Sequence, residues 1–147
     1  MFLVIGFTFI GALGFVLMPK LHNLSHSSYN RKGIEGIVEK LFGYVPIADA
    51  LTKEVCIIAY EYNTHQPRVF SKFSASKLPS VFDVGLGNAS EASSSAPVYF
   101  DPKVIGDQVL IDGAVIANNP SLYSYLHSKY ANNQKNIRFV SIGTGMT

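Results

Sequence analysis

One cysteine among 147 residues leaves no internal disulfide to brace the fold. Cys56 lies in the apolar run V-C-I-I, the setting of a buried thiol rather than a nucleophile. Charge is scarce too: Asp, Glu, Lys and Arg make up 15% of the chain and the formal net charge is +2. That balance shows no basic footprint, so nucleic acid is excluded as the expected partner. No metal-binding constellation is evident. His22 and His26 share a spacing of four but have no third ligand nearby, while His65 falls in a turn and His127 on a helix. Nothing calls for a cofactor. Internal repeats and low-complexity tracts are absent as well. Stability must therefore come from an apolar core, which a chain of this length, 48% hydrophobic, is long enough to build.

The apolar residues are unevenly spread. Residues 1–18 carry no charged side chain. As a helix they would span about 27 Å, just short of the roughly 30 Å hydrocarbon core of a bilayer. A signal peptide would have a basic start and a small-residue cleavage site before Pro19, and neither is found. Residues 1–19 are therefore expected to form an apolar helix, either a membrane anchor or a buried helix of a larger fold. As an anchor, the segment would be followed by Lys20, Arg31 and Lys32, which places the rest of the chain in the cytoplasm by the positive-inside rule.

Beyond a polar, serine-rich stretch, residues 30–43 predict a helix. Ile34, Ile37, Val38, Leu41 and Phe42 form an apolar stripe, with Asn30 as N-cap and Gly43 just past the end. Residues 46–51 read as a short connection with about one helical turn. Residues 54–60 and 68–73 read as two strands of a hairpin, turned at residues 63–67. Ser80 and Asp83 have the spacing of a capping box, so a helix is expected to start there and run towards Ala92, its small residues packed against a sheet. Asp101-Pro102 marks a loop. Residues 137–142 read as a last apolar strand. Helix and strand intermix along the chain, which points to a layered α/β fold.

The most informative stretch is V-L-I-D-G-A-V-I-A-N-N-P, residues 109–120. Val109, Leu110 and Ile111 make a buried strand that stops on a carboxylate, Asp112, followed at once by Gly113. Functional groups in α/β proteins gather outside the carboxyl ends of strands. An Asp-Gly pair alone is equally a plain turn. Asn119 and Pro120 then read as N-cap and first residue of another helix.

Three of these stretches, in order, resemble the patatin-like phospholipases. A-S-S-S-A-P-V-Y-F at residues 92–100 is similar to that family's A-S/T-S-A-A-P-x-Y-F segment. Asp112, Gly113 and Ala114, with Asn118, Asn119 and Pro120 after them, resemble its Asp-Gly-Ala/Gly motif and N-N-P continuation. S-I-G-T-G at residues 141–145 is similar to the strand and turn that come next, and residues 29–43 and the hairpin also fit. The resemblance implies a three-layer α/β sandwich, incomplete here, with residues 29–147 as the C-terminal part of a patatin-like domain. It implies a lipid acyl hydrolase of phospholipase A type, working through a serine–aspartate dyad in which Asp112 is the base and residues 118–120 shape the loop. Phospholipid or another acyl ester would be the substrate, and the setting a membrane surface or the cytoplasm.

The family's serine sits in a G-x-S-x-G elbow, and a glycine-rich loop forms its oxyanion hole. Neither occurs in these 147 residues: Ser90 and Ser141 lack the flanking glycines. Each oxyanion donor is worth about 2.7–4 kcal/mol, so the chain alone is expected to be nearly inert. Two alternatives follow: a hydrolase whose missing half comes from elsewhere, such as another chain, or a catalytically inactive membrane-associated or lipid-binding remnant.

Overall fold

The computed structural model describes residues 27–51, 54–131, 133, 135–138 and 140–142. The apolar segment expected to be a helix, the His22–His26 pair and residues 143–145 lie outside the described residues.

Helix α1 spans Lys32–Phe42, close to the predicted bounds. Asn30 serves its start from one position further out than expected, its Oδ1 accepting the Lys32 amide at 2.9 Å. Gly43 ends it with a φ of 51° and returns its amide to the Glu39 carbonyl, a conformation that glycine adopts without a Cβ penalty. The apolar stripe is less covered than its pattern suggests. No α1 residue is fully buried, and Ile37 and Leu41 are 60% and 70% exposed. What fixes α1 is contact with a later helix, where Val38 leaves no room for a side chain at Gly87: a Cβ there would sit 2.8 Å from Val38 Cγ1.

The predicted hairpin is present as β1, Cys56–Glu61, and β2, Gln66–Ser71, paired antiparallel from Cys56–Ser71 to Glu61–Gln66. Its turn is closed by a buried acid. The Glu61 carboxylate accepts the amides of Asn63 and Thr64 and the Thr64 hydroxyl, and Arg68 lies 3.7 Å away. Burial pushes the Glu61 pKa up, but the hydrogen bonds from Thr64, Asn63 and Val109 outweigh it and hold the group below its ordinary range. Cys56 is buried as expected. Burial, helped by the nearby Glu54 charge, pushes its thiol up to about 12, so it stays protonated and unreactive at neutral pH.

The second strand ends earlier than expected because Ser71 changes role. Its hydroxyl caps helix α2, Lys72–Lys77, by accepting the Ser74 amide at 3.0 Å. The capping-box reading at Ser80 is corrected. Residues Pro79–Phe82 form a single turn, α3, and the chain breaks before helix α4, Leu86–Ser93. The break has a tertiary cause. Val84 and Leu86 spend their backbone groups on Ile47 and Val45, so residues 84–86 run beside residues 45–47. The expected turn after Pro46 is a short 3-10 helix, Ile47–Asp49.

Strands β3, Lys103–Ile105, and β4, Gln108–Asp112, complete a four-stranded antiparallel sheet ordered β2-β1-β4-β3. Gly106, at φ 57°, allows the tight turn between them. The α/β class is as predicted. Helix α4 lies across β1, β3 and β4, with α1 behind it. Its small residues Ala89 and Ala92 meet Ile57, Ala59, Phe70 and Leu110 in the core, as the sequence suggests. Phe70 and Phe82 meet edge to face at 6.2 Å.

Two short helices follow, α5 (Ala114–Ala117) and α6 (Ser121–Leu126), the latter running into a π-helical turn at His127–Ala131. Among the described residues of the expected last strand, 137, 138 and 140–142, none is in a strand, and Val140 and Ile142 are exposed. A strand needs a neighbour for its amides and carbonyls, and none of the four strands provides one. Among the described residues, no helix is long and apolar enough to cross a membrane.

Candidate functional site

Asp112 closes β4, opposite Ala59 of the central strand β1, and is 0% exposed. Directly opposed residues share a sheet face, so the carboxylate stands on the face that α4 covers. Its backbone amide donates to the Ser95 carbonyl at 3.0 Å. The A-S-S-S-A-P-V-Y-F stretch and the Asp-Gly-Ala stretch, separated in sequence by residues 101–111, thus meet through a main-chain hydrogen bond at the strand end.

The two carboxylate oxygens are treated differently. Oδ1 accepts the Ala114 amide at 2.7 Å. Oδ2 is buried and has no hydrogen-bond partner among the described residues. Burial pushes the Asp112 pKa up, and the single bond from Ala114 offsets only part of this. A dry, half-satisfied carboxylate is a better proton acceptor than a solvated one.

Gly113 is placed by packing. A Cβ there would lie 2.1 Å from the Ile58 carbonyl oxygen, inside the backbone of β1. Ala114 opens α5, and the Gly113 carbonyl accepts the amides of Ile116 and Ala117. At the next corner the expected cap is shifted by one residue. Pro120 occupies the N-cap position of α6, and Asn119 reaches over it to accept the Ser121 amide and hydroxyl at 3.0 and 2.6 Å. Proline lacks the donor that a first helical residue would waste, yet here it stands just outside. Asn118 ends α5 with its side chain exposed.

On the other side of Asp112, a polar cluster holds the serine-rich turn. Ser95 is fully buried, but its hydroxyl donates to the Glu91 carbonyl at 2.7 Å and accepts from Arg31 Nη1 at 2.7 Å. The hydroxyl is therefore committed to Glu91 and Arg31. Arg31 also reaches the Asp101 carbonyl and both the carbonyl and Oε2 of Glu91, and Lys103 pairs with Glu91 from the sheet side. Sequence reading finds Ser95 through its motif but gives no signal for Arg31, whose hydrogen-bond acceptors lie 60 to 70 residues away. Val98, within the same turn, takes a φ of 74°, a conformation that costs energy for a β-branched residue.

An open groove of about 380 Å³ runs between α1 and α4, lined by Glu35, Glu39, Tyr44, Asn88, Glu91 and Lys103 among others. Asp112 is not part of its lining. Among the described residues, no group of His, Cys, Asp and Glu side chains could hold a metal ion.

The fold and site thus define a mixed α/β chain with a desolvated carboxylate at a strand end, one oxygen fixed and the other unpartnered. Comparison with known proteins gives this class its lineage. No family model matches the chain. Patatin-like protein 1 of Arabidopsis thaliana is 32% identical over 116 residues, covering 72% of this chain and 28% of that protein. Probable inactive patatin-3-Kuras 1 of Solanum tuberosum is 28% identical, covering 88% of the chain and 40% of its own length. The cUMP-AMP-activated phospholipase of Escherichia coli is also 28% identical, with coverages of 88% and 44%. The chain is related to patatin and the patatin-like phospholipases. It spans less than half the length of these relatives.

Proposed function

We propose that residues 29–147 form part of a patatin-like lipid acyl hydrolase in which Asp112 is the general base of a serine–aspartate dyad. The observation that carries this reading is the unpartnered, buried Oδ2 beside an Oδ1 already committed to Ala114. A serine hydroxyl becomes a competent nucleophile when a base within hydrogen-bond reach takes its proton. The acid is held for that task by a strand end, by Gly113 packed on Ile58 and by the Ser95 carbonyl. The attacking oxygen would form the acyl-enzyme bond as the ester carbonyl opens. Its proton, taken up by Asp112, would then pass to the departing alcohol as the ester bond breaks. The serine and the oxyanion donors come from outside these 147 residues, either upstream in the same protein or on another chain. The phospholipase names among the relatives support a phospholipid or similar acyl ester as substrate.

The test is to restore the missing half. The chain is fused behind a glycine-rich loop and G-x-S-x-G elbow taken from a patatin relative and assayed on a chromogenic ester and a phospholipid. Turnover by the fusion, with none by the 147-residue chain alone, is the expected result. A fusion that unfolds cooperatively yet shows no turnover overturns the reading.

A second reading is an inactive lipid-binding protein. It is favoured by one relative being named a probable inactive patatin. The exposed apolar side chains Ile37, Leu41 and Tyr44 would then be the part that meets lipid. Cosedimentation of the chain with phospholipid vesicles, together with an inert fusion, supports this alternative.

A further inference from the structure

We infer that Arg31 is a positioning residue for Asp112, acting through the serine-rich turn; the inference rests on the reading of Asp112 as a base. Arg31 stands at the start of α1, and its guanidinium donates to acceptors on three residues that bracket that turn. These are Glu91 at the end of α4, Ser95 at the bend, and Asp101 where the chain leaves for β3. A planar guanidinium presents five donors in a fixed fork and can join such acceptors at once, whereas an ammonium offers three from a single point. Its charge is balanced by Glu91, at 3.4 Å, and by Glu35, at 3.9 Å.

The turn closes on its own backbone, the Tyr99 and Phe100 amides donating to the Ala96 carbonyl, yet it carries strain and little cover. Val98 sits in a strained left-handed conformation, and Pro97, Val98 and Tyr99 are exposed, so little core packing fixes them. Further restraints come from beside Arg31: the Ser28 and Tyr29 amides bond the Val98 and Tyr99 carbonyls, and the Tyr29 ring stacks on Tyr99 at 6.1 Å. The inner edge of the same turn carries the Ser95 carbonyl that receives the Asp112 amide. A contact made at Ser95 Oγ is thus passed, within one residue, to the backbone that aims the acid. Lys103 reinforces the arrangement by holding Glu91 from β3.

The experiment uses the 147-residue chain and two measurements by nuclear magnetic resonance, neither of which needs catalysis. One is hydrogen exchange at the Asp112 amide relative to the amides of the β1–β2 ladder. The other is the titration of the Asp112 carboxyl carbon. In Arg31→Met, the Asp112 amide should exchange about ten- to a hundredfold faster while the ladder amides change little. The carboxyl titration should move towards the ordinary aspartate range as water enters. Arg31→Lys, which keeps the charge, should recover part of both effects. Ser95→Ala, which removes only the hydroxyl link, should reproduce them in weaker form, so the test stands even if the Met variant does not fold. Unchanged exchange and titration in the folded variants overturn the inference. So does a loss of protection equal across Asp112 and the ladder, which would make Arg31 a general stabiliser. If Asp112→Asn leaves an active fusion's turnover intact, the general-base reading falls, while these measurements still decide what Arg31 does.

Discussion

Gly113→Ala is expected to cost about 3 kcal/mol or more and to lower Tm by about 10 °C or more, or to leave the chain unable to fold. The cause is purely steric. Gly113 has φ −65° and ψ −20°, which any residue can adopt, so no conformational privilege is lost. The new Cβ would lie 2.1 Å from the Ile58 carbonyl oxygen and 2.7 Å from its carbon. Both belong to the central strand, where no side chain can swing aside. Either β4 separates from β1, ending the Ala59–Asp112 pairing, or the turn into α5 rebuilds. Thermal unfolding followed by circular dichroism is the measurement. Gly33→Ala makes a suitable control, since nothing lies within 4 Å of the Cβ it would add. A Gly113→Ala chain as stable as that control would show that the close approach is not required.

Asp112→Asn is expected to have opposite effects on activity and stability. In the elbow fusion it should cut turnover by about 10²–10⁴-fold, the range supplied by a general base. An amide retains the Oδ1 acceptor for Ala114 but cannot take a proton from serine. On stability the sign is reversed. Burial raises the folded-state pKa of Asp112, so the folded chain holds this proton more tightly than the unfolded chain does. The group's contribution is fully present below the unfolded pKa, near about 3.9. It is lost as pH rises through the raised folded value. Above that, a bare carboxylate must be kept dry in the fold. Asp112→Asn should therefore be more stable than the parent at neutral pH, with the gap closing as the solution is acidified. Tm of the two proteins measured across pH checks this. A gap that widens on acidification would mean that the carboxylate is stabilised by the fold.

The sequence revealed much of this arrangement because the signals were local. Val109, Leu110 and Ile111 declare a strand by composition, and Asp112-Gly113 marks where it stops. Gly43 ends α1, and the β1–β2 hairpin follows from two apolar runs around a polar turn. What escaped was decided by contacts distant in sequence. Residues 80–92 have a helical pattern, yet the backbone of residues 84–86 is claimed by residues 45–47 and the helix starts late. Ser71 looks like the middle of a strand until its hydroxyl caps α2. β3 is three residues long, too short for any periodicity. Residues 137–142 carry a strand's composition, yet among the described residues none of them pairs with a strand. At the site, Asp112 was visible, but nothing around Arg31 announces that its partners are Glu91, Ser95 and Asp101.

The acid-closed turn of the β1–β2 hairpin bears on the order of assembly. Its two strands are joined by only a few residues, and Glu61 gathers the turn's own amides. Pairings so near along the chain zip up within microseconds, whereas β4 arrives from some fifty positions downstream and must first close a much larger loop. The hairpin is then the template, and Asp112 loses its hydration shell late, on a scaffold already made. Pulsed deuterium labelling during refolding would register this as early protection across Cys56–Ser71 and later protection at Asp112; simultaneous protection would mean a single concerted step.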